Sequence, residues 1–503
     1  MFLKSRSLKK VSFNYFLRNF SDVQLTRETH KNITKKPFSK VTESDIKYFV
    51  NILDKHRVLT DVTDVSGYNT DWMKQFRGES QIVLKPKTTE EISAILSYCN
   101  EKLLAVVPQG GNSGLVGGSV PVFDEIIVST NLMNKIHSID AIGGNVVCQA
   151  GVVLEKLESE VNKYNLCVPL DLGAKGSCQI GGNLSTNAGG IRFLRYGSLH
   201  ANVLGLKAVL PDGEILDCLT SLRKDSTGYD LKHLFIGAEG TLGIITDVSL
   251  ICPPKPNSIN VGYFGCSTFD EVLETFKLAK SKLGEILSAF ELIDHASILC
   301  VKDNLKLKSP LESEHNFYVL VETSGSNQDH DEEKLNDFLT ETMEKGFVKD
   351  GILAQDLNQI KKIWEIRENV LVALAEMPYW YFDDISMSLK FMKDFLNILK
   401  EPPKDWQDSE IQISFFGHMG DGNLHLNLVT PKYCSDFNKK LEEFVYTWIR
   451  DHRGSISAEH GLGIKKSEYL HYSKSKEAIK YMNRIKNLFD PKGIMNPYKY
   501  LPN

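Results

Sequence analysis

Residues 108–118 read PQGGNSGLVGG and directly follow the short apolar run of residues 103–107. Glycines in this number are incompatible with a helix, and they let successive backbone N–H groups converge on one anion such as a pyrophosphate. The spacing matches neither the GxGxxG fingerprint nor a Walker loop, so it predicts neither a Rossmann fold nor a P-loop. Taken alone, the segment is either a phosphate-binding loop or a glycine-rich surface turn.

Two further glycine-rich segments follow along the chain. Residues 171–190 read DLGAKGSCQIGGNLSTNAGG, and residues 237–243 read GAEGTLG. The longer segment contains few large side chains, which indicates a close approach of the backbone to a flat ligand. Three such segments in one region are poorly explained by surface turns. We therefore expect a cradle for a dinucleotide cofactor.

The bulk composition excludes several other classes of protein. The chain has 503 residues, 42% of them hydrophobic and 24% charged, with a formal net charge of −5. This charge gives no overall field that would attract nucleic acid. The longest uncharged run, residues 103–123, contains prolines and glycines that a membrane helix would not tolerate. Nine cysteines without a C-x-x-C pair favour free thiols in a reducing compartment.

Residues 1–21 differ from the rest of the chain. They are basic and contain serine, with apolar residues interleaved among the charges, and the first acidic residue is Asp22. This composition is typical of a mitochondrial transit peptide. A frayed basic tail is the alternative interpretation.

Histidines and a glutamate form a second group of candidate residues. The apolar run 413–416 ends at Gly417 and His418, and after a turn the alternating run 424–429 places His425 and Asn427 on one face of a strand. The turn could bring His418 beside His425. With Glu459, two histidines and a carboxylate would suit a zinc-like ion with an open position. Hydrogen-bonded surface histidines explain the same spacing equally well.

The three glycine-rich segments resemble the FAD domain of the vanillyl-alcohol-oxidase-type flavoproteins, also called the PCMH-type FAD fold. The resemblance implies that the first segment wraps the FAD pyrophosphate, the second runs beneath the flavin, and the third approaches the adenine side. Some members attach FAD to a histidine in the first loop, but no histidine lies between Pro108 and Pro121, so non-covalent FAD is expected. The residues that the resemblance places against FAD are Pro108, Gly110, Gly111, Asn112, Ser113, Gly114, Leu115, Gly176, Ser177, Gly181, Asn183, Thr186, Asn187, Gly190, Glu239, Ile244 and Asn496.

Three motifs resemble one group within that family, the D-2-hydroxyglutarate dehydrogenases: GHxGDGNLHxN, SAEHG and the ending DPxGxxNP. This resemblance implies that His418, His425 and Glu459 hold one divalent ion, with zinc the expected metal. It also implies that Asn427 and His460 contact the substrate, and that His460 acts as the base. Arg367 would bind a substrate carboxylate; otherwise it is an exposed helix arginine paired with a nearby acid.

The same resemblance implies an α+β fold with a PCMH-type FAD-binding domain of two subdomains. An α+β substrate (cap) domain and a C-terminal segment that returns to the flavin complete it. The expected organisation is a transit peptide at 1–21, a linker and helix at 22–75, the FAD-binding domain at 76–256, the substrate domain at 257–456 and the C-terminal segment at 457–503.

The expected function is FAD-dependent oxidation of D-2-hydroxyglutarate to 2-oxoglutarate in the mitochondrial matrix, with electron-transfer flavoprotein as the acceptor. Two departures put the substrate in doubt: Leu371 and Phe382 stand where the family has a threonine and a lysine that help hold it. A D-lactate or glycolate dehydrogenase of the same fold is the nearest alternative. An alkyl-glycerone-phosphate-synthase-like transferase, a metallohydrolase and an inactive flavin-binding scaffold explain less of the sequence.

Overall fold

The computed structural model describes residues 23–401, 403, 406 and 411–502. The chain divides into two compact units. Among the described residues, the glycine-loop unit is formed by residues 23–255 and 459–502, and the mid-chain unit lies within residues 256–458. The expected transit peptide at residues 1–21 lies outside the described residues.

The glycine-loop unit holds two sheets and several short helices. Its described helices and strands are α1 (Thr26–Thr29), α2 (Glu43–Leu53), β1 (Val58–Leu59), α3 (Val62–Asn69), β2 (Val83–Leu84), α4 (Thr89–Lys102), β3 (Val106–Gln109), β4 (Ile126–Ser129), β5 (Ile136–Asp140), β6 (Asn145–Gln149), α5 (Leu154–Asn162), α6 (Ile180–Ser185), α7 (Phe193–Tyr196), α8 (Leu199–Asn202), β7 (Val203–Val209), β8 (Ile215–Cys218), α9 (Lys232–Phe235), β9 (Ile244–Ile251) and, after the mid-chain unit, α17 (Lys476–Phe489).

The strands of this unit form two sheets. One sheet runs β1-β2-β4-β3 and the other β5-β6-β9-β7-β8. The apolar runs 82–84 and 103–107, with a helical pattern from Thr88 between them, predict a β-α-β unit. The structure confirms it, because β2 and β3 are both parallel to β4 and α4 connects β2 to β3. Helix α4 begins where Thr88 accepts a hydrogen bond from the Glu91 amide at 3.2 Å, and it buries an apolar stripe of Ile92, Ile95, Leu96 and Cys99.

Residues 22–75 contribute more structure than the linker and single helix expected from their polar composition. Phe49 and Leu53 of α2 are fully buried in the core of the first sheet, and β1 pairs antiparallel with β2. Residues 143–145 read GGN between two apolar runs, which predicts a hairpin. The hairpin is confirmed, since β5 and β6 pair antiparallel and Gly144 has a φ of +61°. Among the described residues, no helix is both long enough and apolar enough to cross a lipid bilayer.

The mid-chain unit is built around one large antiparallel sheet. Its described elements are β10 (Ser258–Cys266), α10 (Phe269–Lys282), β11 (Leu287–Asp294), α11 (His295–Leu305), β12 (Phe317–Gly325), α12 (Gln328–Glu344), β13 (Asp350–Leu353), α13 (Leu357–Glu368), α14 (Val370–Ala375), β14 (Tyr379–Ser386), α15 (Leu389–Lys400), β15 (Gln412–His418), β16 (Asn423–Thr430) and α16 (Ser435–Asp451).

The seven strands of this sheet follow the order β13-β10-β12-β11-β15-β16-β14. Every residue of β16 is buried, so both faces of the strand are covered. The sequence predicted a polar face on β16 that meets either water or a site, and burial rules out open water. Because cross-strand partners point to the same side of a sheet, the register decides which side chains lie beside that polar face.

Candidate active site

The first two glycine-rich segments lie directly against each other. A Cβ atom added at Gly111 would stand 2.0 Å from the carbonyl oxygen of Ser177, so only glycine permits this approach. Thr130 donates to the Gln179 side chain at 2.6 Å, which ties the end of β4 to the second segment. The two segments therefore form one continuous backbone surface.

The third segment packs on the other two. The Glu239 amide donates to the Ser185 carbonyl at 2.8 Å, which joins it to the second segment. Gly240 has a φ of +70°, and a Cβ there would meet the Pro108 ring at 2.5 Å, which places it on the first segment. All three segments converge, as the resemblance to a PCMH-type FAD domain implied.

The C-terminal residues close this arrangement. The Asn496 side-chain amide donates to the carbonyl of Gly118 at 3.0 Å and to that of Glu239 at 2.7 Å, which links the first and third segments. The Lys499 ammonium donates to the carbonyls of Gly118 at 3.2 Å and Val120 at 2.5 Å. The sequence did not indicate Lys499; its position two residues after the end of the DPxGxxNP motif was the one available signal.

Glu239 binds the loop that carries the predicted base. Its two carboxylate oxygens accept from the amides of Leu462 at 2.7 Å and Gly463 at 2.8 Å. Burial raises the pKa of Glu239 to about 7, against the opposing effect of these two hydrogen bonds. Glu459 accepts from the Gly190 amide at 2.7 Å through one of its oxygens. The loop with Glu459 and His460 is therefore held against the second and third glycine-rich segments.

The predicted FAD contacts contain one unsatisfied polar atom that suits a ligand. The Oδ1 atom of Asn187 is buried and has no hydrogen-bond partner among the described residues, and this residue follows helix α6 in the second segment. Buried acceptors are rarely left unpaired, so a bound donor fits here. Asn112, by contrast, donates to Thr70 at 2.8 Å and accepts from Ser119 at 2.8 Å, so its side chain stabilises the first loop.

In the mid-chain unit, one face of the sheet collects the remaining predicted residues. His418 lies opposite Asn423, and His425 lies opposite Phe416, across β15 and β16. The rings of His418 and His425 are 5.5 Å apart between centroids and nearly perpendicular, so the turn does bring the two histidines together. Asn427 shares this face and is fully buried.

Arg367 is not the exposed helix arginine that was the alternative interpretation. Its side chain is buried, and its Nη2 atom lies 2.7 Å from Oε2 of Glu291 on β11. The guanidinium also lies over the Phe416 ring, 4.5 Å from its centroid. The other oxygen of Glu291 is 2.8 Å from Nδ1 of His418.

Two buried carboxylates on this face were missed by the sequence reading. Burial acts to raise the pKa of Glu291, but the charges of His418 and Arg367 lower it below its ordinary value. Asp384 on β14 lies opposite His425, with Oδ1 3.7 Å from Nδ1 of that histidine. Both carboxylates interrupt apolar strands, which is a signal that the sequence did offer.

Phe382 and Trp380 cover the end of the polar face at β14. Phe382 lies opposite Asn427, and its ring is 5.0 Å from that of Trp380. The Trp380 indole donates to the Asn427 side-chain oxygen at 2.9 Å. Asn427 also donates to the His425 carbonyl at 3.1 Å. The predicted substrate contact is therefore held rigidly by its own neighbours.

The predicted site residues are divided between the two units. Arg367, His418, His425 and Asn427 share the sheet face of the mid-chain unit, whereas Glu459 and His460 belong to the glycine-loop unit. The division falls on the peptide bond that follows Ala458. The Ala458 amide itself donates to Asp384 at 3.1 Å.

Comparison with known proteins identifies the family of the chain. Residues 80–219 match a family described as FAD binding domain, and residues 255–500 match the C-terminal domain of FAD linked oxidases. The chain is 52% identical to a mitochondrial D-2-hydroxyglutarate dehydrogenase of Danio rerio, over 93% of this chain and 86% of that protein. The chain belongs to the D-2-hydroxyglutarate dehydrogenase family.

Members of the D-2-hydroxyglutarate dehydrogenase family differ in the activities their names give. The chain is 49% identical to a putative mitochondrial D-lactate dehydrogenase of Schizosaccharomyces pombe, over 95% of this chain and 94% of that one. It is 46% identical to a D-2-hydroxyglutarate–pyruvate transhydrogenase of Saccharomyces cerevisiae, over 95% of this chain and 98% of that one.

Solved structures confirm the predicted fold class. A p-cresol methylhydroxylase matches 92% of this chain and 97% of its own length with a TM-score of 0.71 at 13% identity. A 4-ethylphenol oxidase from Gulosibacter chungangensis matches 94% and 99% with the same TM-score at 17% identity. At these identities the likeness concerns the fold alone.

Proposed function

We propose that this protein is a mitochondrial-matrix dehydrogenase that uses non-covalent FAD to oxidise D-2-hydroxyglutarate to 2-oxoglutarate. The observation that carries the proposal is the hydrogen bonding of the Glu459–His460 loop to the FAD-binding segments, through Gly190 and Glu239. A base on this loop lies next to the segments that hold the flavin in this fold. The FAD-binding domain would span residues 76–256 and the substrate domain residues 257–456.

The glycine-rich segments would hold FAD, whose N5 atom accepts hydride when the cofactor is bound. The close contact of Gly111 with Ser177 leaves a surface of backbone N–H groups without side chains, which suits a pyrophosphate. Asn187 offers its buried oxygen to a donor on the flavin. Without a histidine in the first loop, the chain has no side chain there of the kind that some relatives use to bind FAD covalently.

His418, His425 and Glu459 would hold one zinc ion, which supplies polarisation of the substrate hydroxyl when bound. The donor set suits zinc because it combines two imidazoles with a carboxylate. The Glu291 carboxylate lies 2.8 Å from Nδ1 of His418, so Nε2 is the atom that this histidine presents to an ion. His425 has the buried Asp384 carboxylate nearby. Glu459 follows Ala458 in the chain, and the Ala458 amide is fixed to Asp384 near His425.

The chain's own groups would carry out the remaining tasks. His460 would accept the hydroxyl proton, as a histidine can near neutral pH. Arg367 would bind a substrate carboxylate, since its planar guanidinium offers several N–H donors. Asn427 already uses its oxygen and one N–H, so a second N–H is the group that it would offer to the substrate. Electron-transfer flavoprotein is the proposed acceptor for the reduced cofactor.

A second candidate is oxidation of a D-2-hydroxy acid with an apolar tail, such as D-lactate or a longer homologue. Phe382 favours it, because an aromatic ring stands where the family has a lysine. The ring lies opposite Asn427 and packs on Trp380, so this end of the sheet face is apolar. Such a surface gives a carboxylate no partner but contacts an alkyl group well.

Anaerobic mixing with a panel of D-2-hydroxy acids tests the proposal. The purified protein should show an oxidised flavin spectrum that bleaches with D-2-hydroxyglutarate. His460→Ala should retain FAD and lose this bleaching by a factor of at least about 10². His471→Ala is the matched control, because His471 is exposed and its Nδ1 atom donates to the carbonyl of the nearby Glu468. Bleaching of His460→Ala at the control's rate would contradict the role of His460.

A further inference from the structure

Glu291 stands between two residues to which the proposed function gives different tasks. It lies on β11 and is 1% exposed. One carboxylate oxygen is 2.8 Å from Nδ1 of His418, and the other is 2.7 Å from Nη2 of Arg367. One side chain thus contacts both the proposed metal ligand and the proposed substrate-binding arginine.

The contact with His418 fixes which ring nitrogen is available. A carboxylate can only accept a hydrogen bond, so Nδ1 of His418 must carry the proton that it donates to Glu291. In the neutral ring Nε2 then carries the lone pair, and Nε2 is the atom that an ion would bind. Carboxylates in this position orient metal-binding histidines and increase their basicity.

The contact with Arg367 fixes the guanidinium. Nη2 lies 2.7 Å from Glu291, and the guanidinium carbon lies over the Phe416 ring, 4.5 Å from its centroid. These two contacts restrict the positions that the guanidinium can take. A substrate carboxylate would therefore meet a preorganised partner, which reduces the entropy cost of binding.

A second buried glutamate on the same face, Glu322, has contacts that only stabilise the fold. Glu322 on β12 is also buried, and it accepts from the Trp364 indole at 2.9 Å and from Ser288 at 2.8 Å. Trp364 is one helical turn before Arg367 on α13, so both glutamates attach this helix to the sheet. Glu291 contacts Arg367 and His418, which both have proposed functional roles, whereas Trp364 and Ser288 have none.

We propose that Glu291 is a positioning residue that couples metal binding at His418 to substrate binding at Arg367. The inference rests on the proposed function, because it takes the roles of these two residues from it. An amide has one acceptor oxygen where a carboxylate has two, so Glu291→Gln can serve His418 or Arg367 but not both. Glu322→Gln removes charge from an equally buried carboxylate under the same helix and is the matched control.

The test uses the FAD-loaded full-length protein with two measurements. The first is the dissociation constant for zinc alone, after removal of bound metal by a chelator. The second is the separation of kcat from KM for D-2-hydroxyglutarate. Glu291→Gln should weaken zinc binding about 10- to 100-fold or raise KM about tenfold, whereas Glu322→Gln should change neither by more than about threefold. A thermal melt of both variants reports the purely structural contribution.

Two results would overturn the inference. In one, Glu291→Gln matches Glu322→Gln in zinc affinity and in KM, so that Glu291 only attaches the helix to the sheet. In the other, the wild-type protein binds no zinc, and the link to metal binding is wrong. Bleaching of the flavin by D-2-hydroxyglutarate in that same protein would show that the proposed oxidation stands while the role of Glu291 fails.

Discussion

Replacing Lys499 with Met should loosen the first glycine-rich loop and weaken FAD binding. The Lys499 side chain is buried, and its ammonium donates to the carbonyls of Gly118 and Val120 and to the Asn496 side-chain oxygen at 2.7 Å. Methionine fills similar space but has no donor, so three acceptors lose a partner at once. The Gly118 carbonyl belongs to the loop that is proposed to hold the pyrophosphate, and it keeps its bond from Asn496. The Val120 carbonyl, just beyond that loop, and the Asn496 side-chain oxygen lose the donor that Lys499 supplies.

The magnitude follows from these contacts. Each buried acceptor left without a donor costs about 1–3 kcal/mol. Burial lowers the pKa of Lys499, so bringing the ammonium into the interior already costs free energy, and methionine avoids that cost. The two effects oppose each other, and we expect Lys499→Met to lower the free energy of unfolding by about 2–4 kcal/mol. A distorted loop should raise the FAD dissociation constant about tenfold or more.

FAD titration of the apoprotein, followed by flavin fluorescence, measures the dissociation constant, and urea unfolding measures stability. Lys492→Met is the matched control, because Lys492 lies in the same C-terminal segment and makes one exposed bond, to the Asn100 carbonyl at 2.8 Å. Lys499→Arg keeps the charge and should recover part of the affinity. If Lys499→Met binds FAD as tightly as the Lys492→Met control, the loop does not depend on this lysine.

Four further outcomes are expected. Denaturation should release all the flavin, and flavin that stays with acid-precipitated protein would show a covalent bond. His418→Ala should lose the bound divalent ion in metal analysis, and a full complement of metal would remove this residue from the site. Phe382→Lys should shift the kcat/KM ratio toward D-2-hydroxyglutarate over D-lactate by about ten- to a hundredfold, because it adds a charge-assisted bond; an unchanged ratio would show that Phe382 does not meet the substrate tail. Burial raises the pKa of Asp294 to about 6 from 3.8, so the folded protein should lose stability as the pH rises from about 4 to 6. Asp294→Asn should flatten this dependence and add up to about 3 kcal/mol to the free energy of unfolding above pH 6, as urea unfolding at several pH values would report.

The fold could be predicted because its decisive residues are close together in the sequence. The glycine-rich segments are continuous, and their spacing is itself the signal for a cofactor cradle. The hairpin at Gly144 and the cap of α4 at Thr88 are also local patterns, and both are confirmed. The strand content of residues 22–75 was less accessible, since β1 has two residues and forms only by pairing with β2. So short a strand leaves no periodicity to read.

The sequence indicated the two histidines of the candidate site but not the carboxylate that contacts one of them. His418 and His425 stand out in the sequence because histidines near glycines and asparagines are unusual in an apolar strand. Glu291 contacts His418 from 127 positions away, and no pattern in the chain connects the two. What the sequence did show was a glutamate within the apolar run LSAFELID, where a charge is costly unless it is paired.

The same free-energy cost of burying a charge applies to three carboxylates in the large sheet of the mid-chain unit. Glu291, Glu322 and Asp384 all interrupt apolar strands, and all three point to the face that carries His418 and His425. A carboxylate buried there must have partners, and for Glu291 and Asp384 these include side chains whose orientation the proposed chemistry depends on, whereas the partners of Glu322 attach a helix to the sheet. Buried acidic residues in otherwise apolar strands therefore mark the side of a sheet on which a site is built, even before the partners are known. The identity of each partner still requires the strand register, which a one-residue shift would reverse.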